Sequence, residues 1–264
     1  MLRVFLPDEL ITAVLSFLPV RSLIRLKCVC KSWKTLISDP MFVKLHLKRS
    51  ARNKHIAIFS NEYKKCSNIK ISHIPMHRLL ENTSLTIAND PYFDDHGFMY
   101  PVGSYNGLLC LLTINNDEHS LYLWNPATRS LSIKIEFVHC DTVHPFIHWW
   151  NCGFGYDNST GTYKIVTLCQ WCKEVRVLSI GDNVWRNIQN FPDAHKCIGF
   201  SGVYVNGSLN WLIIPKQSQH EDGKTITINQ FVIISLDLST ETYRQFLPLG
   251  FLIKCHVFGR SLLC

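Results

Sequence analysis

Long apolar runs are missing from this 264-residue chain. The longest, such as residues 231–236, fall far short of the roughly 18–20 residues that a membrane-spanning helix needs, so no membrane partner is expected. Charge is sparse as well: 18% of residues are charged against 47% hydrophobic. Those proportions exclude a largely disordered chain and supply core for one or two domains. No basic start leads into an apolar stretch at the N-terminus, because Pro7, Asp8 and Glu9 interrupt it; a cleaved secretion signal is not expected. The expected compartment is therefore cytoplasmic, nuclear or both, where disulfides do not persist. Eleven cysteines, an odd number, cannot all pair internally. Most stand in apolar strings, Cys110 and Cys169 among them, and should act as small buried hydrophobes. Cys28 and Cys30 are spaced for two sides of a helix and are expected to pack. The Asn-x-Ser/Thr sites at Asn82, Asn158 and Asn206 would matter only in a secreted chain.

Catalytic signatures are also lacking. Cys169-Gln170-Trp171-Cys172 is an isolated C-x-x-C between strand-like segments rather than at a helix start, so ordinary strand and turn cysteines are expected. No second pair lies at zinc spacing, and the twelve histidines form no H-E-x-x-H pattern. His144 and His148 flank Pro145, which argues against a shared helix face. Gly153-Phe154-Gly155 opens like a nucleotide fingerprint, but Asn158 occupies the last glycine position. Gly199-Phe200-Ser201-Gly202 ends on Val203 and is no nucleophile elbow. Asp94-Asp95 reads as a solvated turn. Trp149-Trp150 with His148 and Trp171 could form an aromatic patch, though packing between sheets is the usual use of such rings. No catalytic residue, metal site or cofactor is expected.

The net charge of +7 first suggests nucleic acid, but its distribution argues otherwise. Residues 1–50 hold nine Lys and Arg against three Asp and Glu, while residues 51–264 hold eighteen against seventeen. The excess belongs to one short segment. That segment reads as helices. Pro7 suits a first helical position, with Asp8 and Glu9 at the positive end of the dipole. Leu10, Val14, Leu15 and Leu18 recur on one face until Pro19 stops the helix. Ser22 is read as the next cap, with Leu23, Leu26, Cys30 and Trp33 as one stripe. Asp39-Pro40 opens a short third helix. Ile11, Phe17, Ile24 and Ile37 lie off these faces. Surplus apolar positions on so small a unit either cover the following domain or meet a partner.

These residues carry a resemblance. Leu6-Pro7-Asp8-Glu9-Leu10, Val14-Leu15-Ser16-Phe17-Leu18-Pro19-Val20-Arg21-Ser22-Leu23, Val29-Cys30-Lys31-Ser32-Trp33 and Leu36-Ile37-Ser38-Asp39-Pro40 resemble, in order and without gaps, a plant F-box. Ala13-Val14 departs mildly from a family pattern that often has an acidic residue and Ile there. The resemblance implies a three-helix module that docks on a Skp-type adaptor and so joins a cullin scaffold. It assigns the adaptor-facing surface to Leu6, Pro7, Leu10, Leu15, Leu18, Pro19, Leu23 and Ile24. Val29, Cys30 and Trp33 would divide between module core and interface. Arg21, Arg25, Lys27, Lys31 and Lys34 would then steer protein docking rather than hold phosphate.

From His55 the period changes. A stretch of poor pattern, broken by Pro75, Pro91 and Pro101, gives way after Ser104 to short strands separated by turn residues, an all-β signature. The strands group as 108–114, 120–124 and 131–137; then 152–156, 163–168, 175–180 and 184–188; then 202–205, 208–214, 231–236 and 242–246. Asn106-Gly107-Leu108-Leu109 resembles Asn206-Gly207-Ser208-Leu209. The turn from Asp157 to Lys164 resembles that from Asp237 to Arg244, and Trp124-Asn125-Pro126-Ala127-Thr128 is a third of the kind. Groups of about four strands spaced roughly 40–50 residues apart suit propeller blades. A β-sandwich is the competing arrangement, and repeated turns favour repeated units.

Gly103-Ser104, Asn106 to Leu109, Trp124 to Arg129, Phe154-Gly155-Tyr156-Asp157, Tyr163-Lys164-Ile165-Val166 and Val203 to Leu212 resemble the F-box-associated, kelch-like domain of plant F-box proteins. The tail 249–264 fits that pattern poorly. The expectation is therefore an F-box over residues 1–50 and a β-propeller-like domain over 51–264, C-terminally truncated and left open. Exposed closing edges would make that domain marginally stable or prone to aggregation. The resemblance implies a substrate-recognition subunit of an SCF-type ubiquitin ligase, without catalysis of its own and with a protein target that one sequence does not name. The alternatives are a ligand- or glycan-binding propeller without a ligase role and a basic nucleic-acid binder. A near-neutral β-domain disfavours the latter.

Overall fold

The computed structural model describes residues 7–50, 55–61, 69–75, 99–115, 118–132, 134–136, 150–170, 172–192, 195–197, 201–215, 226–227, 231–247, 254–258 and 261–263. Backbone contacts divide the chain into two compact units, one of residues 1–99 with 106–108 and 124–132, the other of 100–105, 109–123 and 133–264.

Four helices open the chain: α1 (Asp8–Leu15), α2 (Val20–Leu26), α3 (Lys31–Ser38) and α4 (Pro40–Ser50). Two are capped by a preceding proline. Pro7 and Pro19 hold φ of −56° and −58° just ahead of α1 and α2. Their carbonyls accept the first helical N–H groups, Pro7 from Leu10 and Ile11, Pro19 from Ser22 and Leu23. Pro19, not Ser22, thus caps the second helix. Asp39 caps α4, its Oδ1 accepting the N–H of Met41 at 2.7 Å and of Phe42 at 3.2 Å. The stripe Leu23–Trp33, expected on one helix, is split between two. The chain tightens at residues 27–29, and Cys30 is extended, with φ −158° and ψ 164°. Cys28 and Cys30 are consequently exposed in the connection rather than packed. Leu15, Leu23, Ile37 and Phe42 form the buried core, with Ile11, Leu18, Leu26, Trp33 and Leu36 against it.

The strands follow as β1 (His55–Asn61), β2 (Ile69–Pro75), β3 (Met99–Tyr105), β4 (Leu108–Asn115), β5 (Glu118–Asn125), β6 (Ser130–Leu131), β7 (Ile135–Glu136), β8 (Trp150–Asp157), β9 (Thr162–Cys169), β10 (Val175–Ser179), β11 (Trp185–Asn187), β12 (His195–Cys197), β13 (Ser201–Val205), β14 (Ser208–Pro215), β15 (Ile226–Thr227), β16 (Val232–Asp237), β17 (Tyr243–Phe246), β18 (Lys254–Phe258) and β19 (Ser261–Leu263). β1 pairs with β2, and β3 to β6 form a sheet in chain order. The largest sheet runs β11-β10-β9-β8-β13-β14-β16-β17. It consists of two antiparallel four-stranded meanders, β8–β11 and β13, β14, β16 and β17, with the short β12 paired to the end of β14. A parallel bridge joins the first strands of the two meanders at Ser201↔Cys152 and Gly202↔Gly153. Repeated four-stranded meanders whose first strands meet are the arrangement of neighbouring propeller blades, and they decide against a sandwich. The expected strands of the second and third groups are all present. β2 and β3 were not expected, and Pro101 lies within β3.

The repeated turns match atom for atom. Asp157 Oδ1 accepts the Ser159 N–H at 2.9 Å and the Ser159 hydroxyl at 2.6 Å; Asp237 Oδ1 accepts the corresponding groups of Ser239 at 2.8 and 2.6 Å. Asn125 Oδ1 likewise accepts the Ala127 N–H at 3.0 Å. The residue four positions on is left-handed each time: Gly161 at φ 71°, Glu241 at 56° and Arg129 at 54°. Asn106-Gly107 and Asn206-Gly207 are both left-handed at both residues, as tight hairpin turns require.

The two meanders pack face to face around Val166, Val177, Leu209, Trp211, Ile234 and Leu236. Gly153 on β8 lets the second meander approach, and Gly202 on β13 leaves room for the Trp211 ring of the neighbouring strand β14. A Cβ on Gly153 would stand 2.7 Å from Leu209 Cδ1, and one on Gly202 would stand 2.6 Å from Trp211 Cε2. The Trp211 ring is buried and cannot yield as a flexible chain end would. Gly202→Ala is therefore expected to cost about 1–3 kcal/mol by overpacking, measured as a lower chemical denaturation midpoint.

A buried ion cluster also joins the meanders. Lys164 Nζ lies 2.8 Å from Asp157 Oδ2 and 3.1 Å from Glu241 Oε1, and donates to the Leu238 carbonyl. Arg186 grips both oxygens of Glu241. Burial would raise the Asp157 pKa, but Lys164 and the hydrogen bonds of Ser159 and Thr160 outweigh it and hold the carboxyl well below its usual range. Glu241 is lowered chiefly by Arg186, against burial, with help from Lys164.

Candidate functional site

The four-helix unit leaves a large share of its apolar side chains in water. Leu10, Val14, Phe17, Ile24, Val29, Met41 and Val43 are all exposed, with Leu10, Val14 and Phe17 at 53%, 63% and 70%. α1 contributes Leu10 and Val14, one helical turn apart; Phe17 follows in the α1–α2 connection; Ile24 lies on α2 and Val29 in the α2–α3 connection. The reason lies in helix length. With eight, seven and eight residues, the first three helices each bury one side chain fully: Leu15, Leu23 and Ile37 respectively. Ile11, Leu18, Leu26, Trp33 and Leu36 pack partly against that small core, and the apolar positions left over stay exposed. Basic groups border them, Arg21, Arg25, Lys31 and Lys34 being exposed and Lys27 half-buried.

The ten residues assigned to docking from the sequence separate accordingly. Pro7, Leu10, Pro19, Ile24 and Val29 are exposed. Leu18 and Trp33 are half-buried against the core. Leu15 and Leu23 are 3% and 4% exposed, so they support the surface from beneath and do not form it. Leu6 lies outside the described residues. Phe17, absent from that assignment, is the more exposed neighbour of Leu18. Of the positions set off the main faces, Phe17 and Ile24 point to solvent, while Ile11 and Ile37 turn inward. An apolar pocket lined by Thr12, Leu36, Met41, Phe42 and Leu45 lies alongside, with the capping Asp39 at its edge.

The α1–α2 connection is held by α4. Arg49 Nη1 donates to the Ala13 carbonyl at 2.8 Å and to the Ser16 hydroxyl, and its guanidinium stands 4.2 Å from the centre of the Phe17 ring. His46 Nε2 bonds the Leu18 carbonyl at 2.9 Å.

The β-unit offers no reactive constellation among its described residues. Cys169 is buried at the end of β9, and Cys172 follows in the turn to β10. Burial pushes the Cys152 and Cys197 thiols up to about 12, which suits packed side chains rather than nucleophiles. Among the described residues, no group of three or more His, Cys, Asp or Glu is placed to hold a metal ion. His144, His148, Trp149, Trp171, Phe200 and Asp94-Asp95 lie outside the described residues.

Comparisons with known proteins identify the family. Residues 4–48 match the F-box-like family, and residues 56–264 match the F-box associated beta propeller domain. The second match runs to Cys264, so the tail expected to fit poorly belongs to it. An Arabidopsis thaliana F-box/kelch-repeat protein is 30% identical over 91% of this chain, and an F-box/LRR-repeat/kelch-repeat protein of the same plant is 29% identical over 96%. The chain spans 64% and 63% of the length of these two relatives. Among solved structures, TolB from Acinetobacter baumannii aligns at a TM-score of 0.42 with 10% identity, over 77% of this chain and 46% of that one. With its F-box-like segment followed by an F-box-associated β-propeller domain, the chain belongs to the plant F-box proteins.

Proposed function

We propose that this chain is a substrate-recognition subunit of an SCF-type cullin–RING ubiquitin ligase. Residues 1–50 dock on a Skp-type adaptor and through it reach the cullin scaffold; residues 51–264 present a protein target. The observation that carries this reading is the exposed apolar surface of Leu10, Val14, Phe17, Ile24 and Val29 on a four-helix unit within an F-box-like match. Exposed apolar side chains gathered on so small a unit mark a surface that a partner covers. The chain works without a nucleophile. It raises the effective concentration of a target lysine near ubiquitin activated by the other subunits. The basic border Arg21, Arg25, Lys31 and Lys34 speeds encounter with an acidic face and sets orientation. The compartments consistent with that role are the cytoplasm and nucleus.

Co-expression of the full chain with a Skp-type adaptor tests the proposal. A stoichiometric complex that survives size-exclusion chromatography is expected. A monodisperse chain that elutes alone at micromolar concentration would overturn the adaptor role.

A further inference from the structure

We infer that Phe17 is a contact residue of the adaptor surface and that Arg49, from the last turn of α4, is the positioning residue that holds it there; the inference rests on the adaptor reading above. The α1–α2 connection is three residues of non-helical chain between Leu15 and Pro19. A phenylalanine in such a connection, 70% exposed and without apolar cover, would sample several rotamers and lose that freedom on docking. Arg49 restricts it. Its Nη1 meets the Ala13 carbonyl and the Ser16 hydroxyl, and Ser16 in turn donates to Ala13 at 2.7 Å, so the guanidinium is anchored at the C-terminal end of α1. There a cation also completes the carbonyls that the helix leaves unpaired. From that anchor the planar guanidinium lies over the Phe17 ring at 4.2 Å, while the residue as a whole stays 70% exposed.

The rest of α4 supports the same connection. His46 reaches the Leu18 carbonyl, and Ser50 Oγ donates to the His46 carbonyl at 2.7 Å while lying 3.1 Å from His46 Nδ1. Two turns of one helix thus fix the residues on either side of Phe17. Arg49 and Ser50 lie just beyond the residues that match the F-box-like family, at 4–48. The docking unit extends through the end of α4, and the part of its preorganisation that Arg49 supplies comes from outside the matched segment.

The test is a double-mutant cycle in the full chain, read as adaptor affinity by titration calorimetry with purified Skp-type adaptor. Phe17→Ala is expected to weaken binding about tenfold, as loss of an aromatic anchor does. Arg49→Gln, which keeps a donor but not the planar cation, is expected to weaken binding about fivefold when Phe17 is present and less than about twofold when Phe17 is Ala. Arg49→Lys keeps the charge and should recover part of the loss. Amide exchange at Phe17 and Leu18 in the unbound chain should quicken in Arg49→Gln. Equal losses from Arg49→Gln in both backgrounds would overturn the positioning role while leaving the adaptor reading intact. Failure of the wild-type chain to bind would overturn that reading and this inference with it.

Discussion

Lys164→Met is expected to remove about 3–5 kcal/mol from the stability of the β-unit, read as a lower urea midpoint. Methionine fills nearly the lysine's volume, so packing changes little and the loss isolates the charge. What the substitution leaves behind is the carboxylate of Asp157, 1% exposed, with Oδ2 stripped of the ammonium 2.8 Å away. Oδ1 keeps the Ser159 and Thr160 hydrogen bonds, and Glu241 keeps Arg186, which places the effect toward the lower end of that range. The same cluster sets an acid dependence. Asp157 and Glu241 have folded pKa values below their ordinary ones. Carboxylates depressed in this way contribute stability that is fully present above the unfolded range near pH 4 and is lost as pH falls through the folded values. The wild-type chain should therefore weaken steeply below about pH 4, and Lys164→Met should show a flatter profile there. A loss under about 1 kcal/mol, within the range of an exposed pair, would mean that hydrophobic contacts alone hold the meanders together.

How much of this was legible in the sequence depends on whether the signal was local. The turns at Asn125, Asp157 and Asp237 were readable because each is made by a side chain bonding its own backbone two and three residues on, and the structure repeats those bonds almost distance for distance. Strands such as β9 and β14 were readable from apolar runs bounded by those turns. The break between α2 and α3 was not. Leu23, Leu26, Cys30 and Trp33 keep three- and four-residue spacing across it, and neither glycine nor proline marks it. Trp33 still reaches the core, so the pattern survives where the helix does not. β3 was hidden by Pro101 and by a preceding stretch without alternation. The division of the docking residues was equally obscure. Leu10 and Leu15 look alike in sequence, and only the packing of four very short helices sends one outward and the other inward. Lys164 carries a sequence trace: it shares the strand face of Val166 and Leu168, where a lysine needs an acidic partner. Glu241 supplies one by accepting a left-handed backbone where the sister turn has Gly161.

The second large effect separates surface from core within the helical unit. Leu10→Gln, Val14→Gln and Ile24→Gln combined are expected to lower adaptor affinity by at least about a hundredfold, which is a loss of about 3 kcal/mol shared among three anchors. Stability should stay within about 1 kcal/mol of wild type, because all three side chains are already in water and glutamine is a good helix former. Leu23→Ala gives the contrasting result. Its side chain is 4% exposed in a core of only four fully buried residues, so about 2–5 kcal/mol of local stability should disappear. Binding is then lost through unfolding of the helices, with a matching loss of helical circular dichroism. The two variants thus reach the same loss of complex by different routes, which the dichroism distinguishes. Full adaptor affinity in the triple variant would place the docking surface on another face, with α4 and its exposed Met41 and Val43 as the remaining apolar candidates.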